Sequence, residues 1–230
     1  MENKSKMEES KLRIDKDSED YIEILKNSKK IRKLKIFTEG FEVLDSFCEI
    51  LRTHPSIEKL SFYYDSDCKV FLEILGLLNE NAKITCVKLL NFSIDSEESK
   101  QIGEILANLK YLKKFVHLSE DGSNYTHFKG MCEGFQKNKS ITSIHFSGIE
   151  LDDYEEDYFS LIFNSNRNIQ EFFLDGINHV GDFHKIVSSL VGYSSLTSLS
   201  LVEFVDIEFE NENSENICRL FSEAKNLQKM

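Results

Sequence analysis

Side chains able to do covalent or metal chemistry are few in this sequence, and their spacing argues against most of what they could do. The five cysteines, Cys48, Cys68, Cys86, Cys132 and Cys218, are odd in number, widely spread and never arranged as CxxC. That pattern suits neither a disulfide framework nor a structural zinc site, and a reducing compartment, cytoplasm or nucleus, fits it best. His179 and His184 lie close together but have no third ligand nearby, so no metal centre is expected. No GxSxG, HExxH, P-loop or GxGxxG stands in the chain, so no catalytic residue and no cofactor is assigned. The carboxylates of DDYEED (152–157) and EFVDIEFENENSE (203–215) could form an acidic rim, but acids at helix starts are also favoured by the helix dipole.

Charge narrows the partners. The net charge is −12 over 230 residues, which would repel phosphate backbones and anionic lipid, so nucleic acid is not an expected partner. No apolar run reaches the length of a membrane span, and the N-terminus is polar, so membrane insertion is not expected. Composition leaves the class of partner, and the contact made with it, open.

The elements that would position such a contact come from a repeat. IRKLKIF (31–37), IEKLSF (57–62), ITCVKLL (84–90), LKKFVHL (112–118), ITSIHFS (141–147), IQEFFLD (169–175) and LTSLSLV (196–202) share the form LxxLxL. Their first residues, Ile31, Ile57, Ile84, Leu112, Ile141, Ile169 and Leu196, with a final Leu227, are 26 to 31 residues apart. Positions not used to set that register are apolar as well. Three residues after each anchor stand Leu34, Leu60, Val87, Phe115, Ile144, Phe172, Leu199 and Met230; six before, Leu25, Leu51, Leu78, Leu106, Phe135, Phe163, Leu190 and Phe221. Ten before stand Tyr21, Phe47, Ile74, Ile102, Met131, Phe159, Ile186 and Ile217.

Alternation after each anchor predicts a short strand buried on one face, and the apolar positions before it share one side of a helix. A lone unit buries too little to offset its ordering entropy, so units must stack. The expected fold is an α/β solenoid of about seven to eight repeats, with a parallel sheet on the concave face and α-helices on the convex face. Residues 11–230 are expected to form a single domain behind a disordered polar tail, 1–10. Leu12 and Ile14 read as a degenerate first strand. Leu227 and Met230 fall at strand positions, so the solenoid is expected to end mid-repeat, through a longer parent protein, an incomplete gene prediction or a bare edge strand.

These LxxLxL strands, helices and step lengths resemble the ribonuclease-inhibitor-like leucine-rich-repeat family. The resemblance covers about residues 12–230 and implies a curved horseshoe that binds other proteins. Members usually carry asparagine or cysteine at the ninth position of the motif, where this chain has Glu39, Asp65, Phe92, Glu120, Ile149, Ile177 and Phe204. A continuous asparagine ladder is therefore not expected there, and the chain reads as a divergent member.

In register, Cys48, Cys132 and Cys218 share one column, nine before the anchor, and read as packing residues, while Cys68 and Cys86 are expected to be more accessible. His117 interrupts an otherwise apolar column, as a hydrogen-bonded core histidine, the site of a bulge, or a functional group. SEDGSNYTHF (119–128) reads as a polar loop that either protrudes as a contact or stays mobile. On the concave face, Lys33, Lys35, Phe37, Lys59, Tyr63, Tyr64 and Lys88 form a basic, aromatic half, and Glu171 and Asp175 an acidic one. The basic half is the expected binding site, because tyrosine and phenylalanine beside charge are enriched in contact hot spots. A non-enzymatic interaction scaffold is the expected function. The alternatives are a GTPase-activating regulator of the Ran-type activator kind, for which the loops after the strands supply no arginine, or the recognition fragment of a larger receptor or ubiquitin-ligase adaptor.

Overall fold

The computed structural model describes residues 11–15, 21–39, 45–63, 68–78, 83–119, 124–150, 156–176, 183–202, 211–223 and 226–228. The expected tail 1–10 lies outside them. Strands β1 (Lys11–Ile14), β2 (Lys33–Phe37), β3 (Lys59–Tyr63), β4 (Cys86–Leu90), β5 (Lys114–Leu118), β7 (Ser143–Ser147), β9 (Glu171–Asp175) and β10 (Ser198–Val202) form one sheet. They lie in chain order and every neighbouring pair is parallel. Between them run helices α1 (Tyr21–Asn27), α2 (Asp45–Thr53), α3 (Lys69–Leu77), α4 (Ser96–Asn108), α5 (Lys129–Lys137), α6 (Glu156–Ser165) and α7 (Phe183–Leu190), with α8 (Asn211–Glu223) after β10. No helix among the described residues is long and apolar enough to cross a membrane.

The repeat registers coincide with the strand pairing: Leu34 lies beside Leu60, Leu60 beside Val87, Val87 beside Phe115, and so on to Leu199 beside Phe172. Every described residue of the three tested apolar columns is buried except two on α8. There Ile217 is half-buried and Phe221 is 52% exposed, while Leu220 beside it takes the buried place. Phenylalanines join sheet to helices edge to face, as in Phe163 on Phe172 (4.8 Å, 84°) and Phe115 on Phe135 (5.3 Å, 61°). Phe92, one of the apolar ninth positions, is fully buried against Phe71 at 5.9 Å. Apolar packing thus fills this turn, with no polar side chain at the ninth position.

A polar ladder does exist, on the opposite side of the repeat, where helix returns to strand. Asn138 donates from Nδ2 to the carbonyls of Leu106 (2.6 Å) and Leu109 (3.0 Å), and its Oδ1 accepts from the amides of Ser140 (2.8 Å) and Ile141 (2.9 Å). One repeat on, Asn166 donates to the carbonyls of Phe135 (2.9 Å) and Asn138 (2.8 Å). In the next repeat the Tyr193 hydroxyl donates to the Asn166 carbonyl and accepts from the Ile169 amide at 3.1 Å. Each residue occupies the third position before its anchor and satisfies backbone that the helix ends leave unpaired. Asn138→Ala should therefore lower unfolding free energy by about 2 kcal/mol, read as a fall in the urea midpoint, because it strands several buried backbone groups at once.

Turns follow suit. After its strand the chain takes a left-handed residue at Asn91, Gly148 and Gly176 (φ 62°, 64° and 60°), whose amides reach the carbonyls of Leu118, Asp175 and Val202 on the neighbouring strand. At Gly148 a Cβ would also stand 2.1 Å from the Ser119 carbonyl oxygen, so glycine is required twice over. Helix α4 starts in a capping box: Asp95 accepts from the Glu98 amide (2.8 Å) while Glu98 accepts from the Asp95 amide (2.9 Å).

Helix spacing is uneven. Helices α4 and α5 touch backbone to backbone through Gly103, Gly130 and Gly134. Helices α2 and α3, in contrast, leave a groove of about 620 Å³ lined by Cys48, Arg52, Glu73 and Gly76 among others. A Cβ at Gly76 would meet nothing within 4 Å, so Gly76→Ala should raise unfolding free energy by about 0.5 to 1 kcal/mol, measured by urea denaturation.

Candidate functional site

The side chains of the sheet face away from the helices fall into three lanes that cross the strands. The first lane runs Lys11, Lys33, Lys59, Cys86, Lys114, Ser143, Glu171, Ser198; the second runs Arg13, Lys35, Ser61, Lys88, Val116, His145, Phe173, Ser200. The third begins at β2 with Phe37, Tyr63, Leu90 and Leu118. Strands β1 to β5 therefore present seven cationic side chains in these lanes, and no carboxylate.

Phe37 and Tyr63 stack with centroids 4.7 Å apart at 14°. The Arg13 guanidinium sits 4.0 Å from the Phe37 centroid, and Lys35 Nζ lies 4.9 Å from that of Tyr63. Hydrogen bonding to Tyr63 raises the Lys35 ammonium above its usual value, so it stays charged throughout the neutral range. Arg13 is bridged to Asp15 at 3.2 Å. Lys33, Lys59 and Lys88 pair with no carboxylate among the described residues.

The other half of the face satisfies itself. Glu171 accepts from Ser143 Oγ (2.8 Å) and lies 3.8 Å from Lys114 Nζ; Asp175 accepts from Ser200 Oγ (2.6 Å). His145 Nε2 is 3.5 Å from Asp175, but burial lowers the imidazole's proton affinity more than Asp175 raises it, so at neutral pH this is no ion pair.

Of the seven residues expected to bind, Lys33, Lys35, Phe37, Lys59, Tyr63 and Lys88 are brought together on this face, and Tyr64 lies outside the described residues. That set leaves out three cations of the face: Lys114 on β5 and, on β1, Lys11 and Arg13. Alternation around Leu12 and Ile14 was the available signal for the β1 pair, since it turns both cations outward.

The cysteines depart from expectation at three places. Cys68 and Cys86 are buried rather than accessible, and Cys218, expected to pack, is exposed on α8. Cys86 stands among Lys88, Lys59, Lys114 and Lys33, whose charges would favour the thiolate; burial outweighs them and pushes the thiol up. The β5 register continues without a bulge through His117, whose ring is fully buried with Nε2 3.0 Å from the Phe92 carbonyl oxygen. It is a hydrogen-bonded core histidine. The polar loop is partly tied down: β6 (Asn124–Tyr125) pairs with β8 (Ile149–Glu150), and Thr126 bridges to Ile94. The DDYEED and 203–215 carboxylates fall almost wholly outside the described residues, as do His179 and the side chain of His184.

Fold and face together define an α/β repeat protein whose helices cover one side of a continuous parallel sheet and leave the other open. No family model matches the chain, and no curated protein matches it.

Proposed function

We propose that this chain is a divergent leucine-rich-repeat protein of the ribonuclease-inhibitor-like kind, acting as a non-enzymatic scaffold that docks another protein on the open, concave face of its sheet. One observation carries the reading. On a protein of net charge −12, seven cations and the stacked Phe37–Tyr63 pair are collected on one sheet surface, away from the packing that holds the repeats together. Tyrosine and arginine are among the residue types that concentrate binding energy in protein interfaces, phenylalanine is enriched there, and the lysines around them steer an oppositely charged partner. Lys33, Lys59 and Tyr63 make no core contact whose loss would unfold a repeat, so their replacement separates binding from folding. Quantitative affinity purification with the wild-type chain and with a Lys59→Glu/Tyr63→Ala variant should show at least one partner depleted roughly tenfold or more from the variant. Equal capture of every partner would reject the footprint.

A further inference from the structure

We propose that the partner element is an acidic amphipathic helix lying across strands β1 to β5, with its carboxylates over the lysine lanes and its apolar side chains over Phe37, Tyr63, Leu90 and Leu118. This rests on the reading of the open sheet face as a protein-docking surface and specifies what docks there.

Charge on the face is crowded. Lys11, Lys33 and Lys59 are direct lateral neighbours on three adjacent strands, and Arg13 faces Lys35 in the next lane. Like charges placed opposite one another on neighbouring strands repel, so the arrangement works against the fold's own stability. Carboxylates from outside would relieve it. An apolar border accompanies the charge: the third lane is unbroken by charge from Phe37 to Leu118, beside two lanes rich in cations. A ligand that fits both must carry acids along one edge and apolar groups along the other.

Spacing favours a helix. Adjacent strands lie about 4.8 Å apart, near the helical pitch of about 5.4 Å, whereas same-side residues of an extended chain recur every ~6.6 Å or more. The outer lanes are four residues apart along a strand, about 13 Å, close to the ~10 to 12 Å diameter of a helix with its side chains. Crossing from β1 to β5 takes about 19 Å, or roughly 13 helical residues. Single-stranded nucleic acid also seeks cations beside aromatic rings, but it needs open ring faces on which bases stack. Phe37 has none to offer: β1 and β3 flank β2, so Arg13 covers one face and Tyr63 the other.

The test is selection of a random 16-residue peptide display library on the immobilised full chain and on its Lys33→Glu/Lys59→Glu variant, with an oligothymidine of 16 nucleotides as the nucleic-acid probe. Peptides enriched on the wild type should carry Asp or Glu and Leu, Ile or Phe at helical spacing. Their affinity should fall roughly tenfold or more on the variant and weaken further as salt rises. The variant itself should melt close to the wild-type temperature, because one attractive pair (Lys11 with the new acid at 33) is gained while the repulsion between positions 33 and 59 only changes sign of charge, and the melting curve separates lost binding from unfolding. No enrichment, or enrichment without an excess of acidic residues, overturns the inference. Enriched non-acidic peptides that are lost on Tyr63→Ala would leave the docking face standing and remove only the acidic helix. Peptides held equally by all variants would remove both, and tighter, lysine-dependent binding of the oligothymidine would replace the protein partner by nucleic acid.

Discussion

Gly103→Ala should destabilise the protein by about 3 kcal/mol or more, because the added methyl group has no room between two packed helices. The added Cβ would stand 1.9 Å from the Gly130 carbonyl oxygen and 2.5 Å from its carbon, both backbone atoms of α5. No rotamer change can relieve a backbone clash, so α4 and α5 would have to separate. Their contact is reciprocal: a Cβ on Gly130 would strike the backbone of Ser99 and Lys100 at 2.4 Å, and one on Gly134 would strike Gly103. Separation would also break the bond from the Met131 amide to Ser99 Oγ (3.2 Å), which serves the first turn of α5 from the neighbouring helix. Urea denaturation should show the midpoint fall sharply for Gly103→Ala. Gly76→Ala, on the loosely covered α3, is the matched control and should move the other way.

Acid should act on the folded state mainly through His117. Burial lowers its pKa from the ordinary 6.5 to about 4, opposed only in part by the Phe92 carbonyl. A carbonyl can only accept, so Nε2 carries the proton of the neutral ring, and Nδ1 is left as a buried lone pair with no partner among the described residues. Because the folded value lies below the unfolded one, the unfolded chain binds more protons between them. The stabilisation is thus complete above pH ~6.5 and is lost as pH falls towards ~4, by about 3 kcal/mol in all. His117→Leu removes this titration but strands the Phe92 carbonyl, at a cost of about 1 to 2 kcal/mol near neutrality. Wild type should therefore be the more stable protein at pH 7 and lose its lead by pH 4.5. Urea titrations at the two pH values measure this directly, since carboxylate contributions common to both proteins cancel. Parallel pH dependence in the two proteins would exclude His117 as the acid-sensitive group.

Core columns could be read from the chain because burial on one face of a strand or helix leaves a period in the apolar residues, and these repeats keep that period from Leu34 to Leu199. The polar ladder left no such trace. Asn138, Asn166, Tyr193 and His54, whose ring bonds the Ser28 carbonyl oxygen at 2.8 Å, do the same work with three side-chain types, so asparagine recurs but no single letter runs through the column. What they share is a polar atom that reaches back one repeat, which only the packed structure displays. The α4–α5 contact was hidden for a related reason: Gly103 and Gly130 occupy different register columns, and only the approach of two helices joins them. On α8 the apolar column slipped by one residue, placing Leu220 inside and Phe221 outside. For the open face, alternation along β2 to β4 puts Lys33, Lys35, Phe37, Lys59, Tyr63 and Lys88 on one side of the sheet, as the strand pairing does. It did not reveal that Arg13 completes the stack on Phe37, because β1 precedes the first full LxxLxL unit.

Lysine-acetylation footprinting, read by mass spectrometry on the free chain and on its complex with a purified partner, addresses the docking face most directly. The account predicts that Lys33, Lys59 and Lys88 lose reactivity in the complex while Lys100 and Lys137, on the outer helices α4 and α5, keep it. Protection of the helix lysines with Lys33, Lys59 and Lys88 unchanged would contradict it.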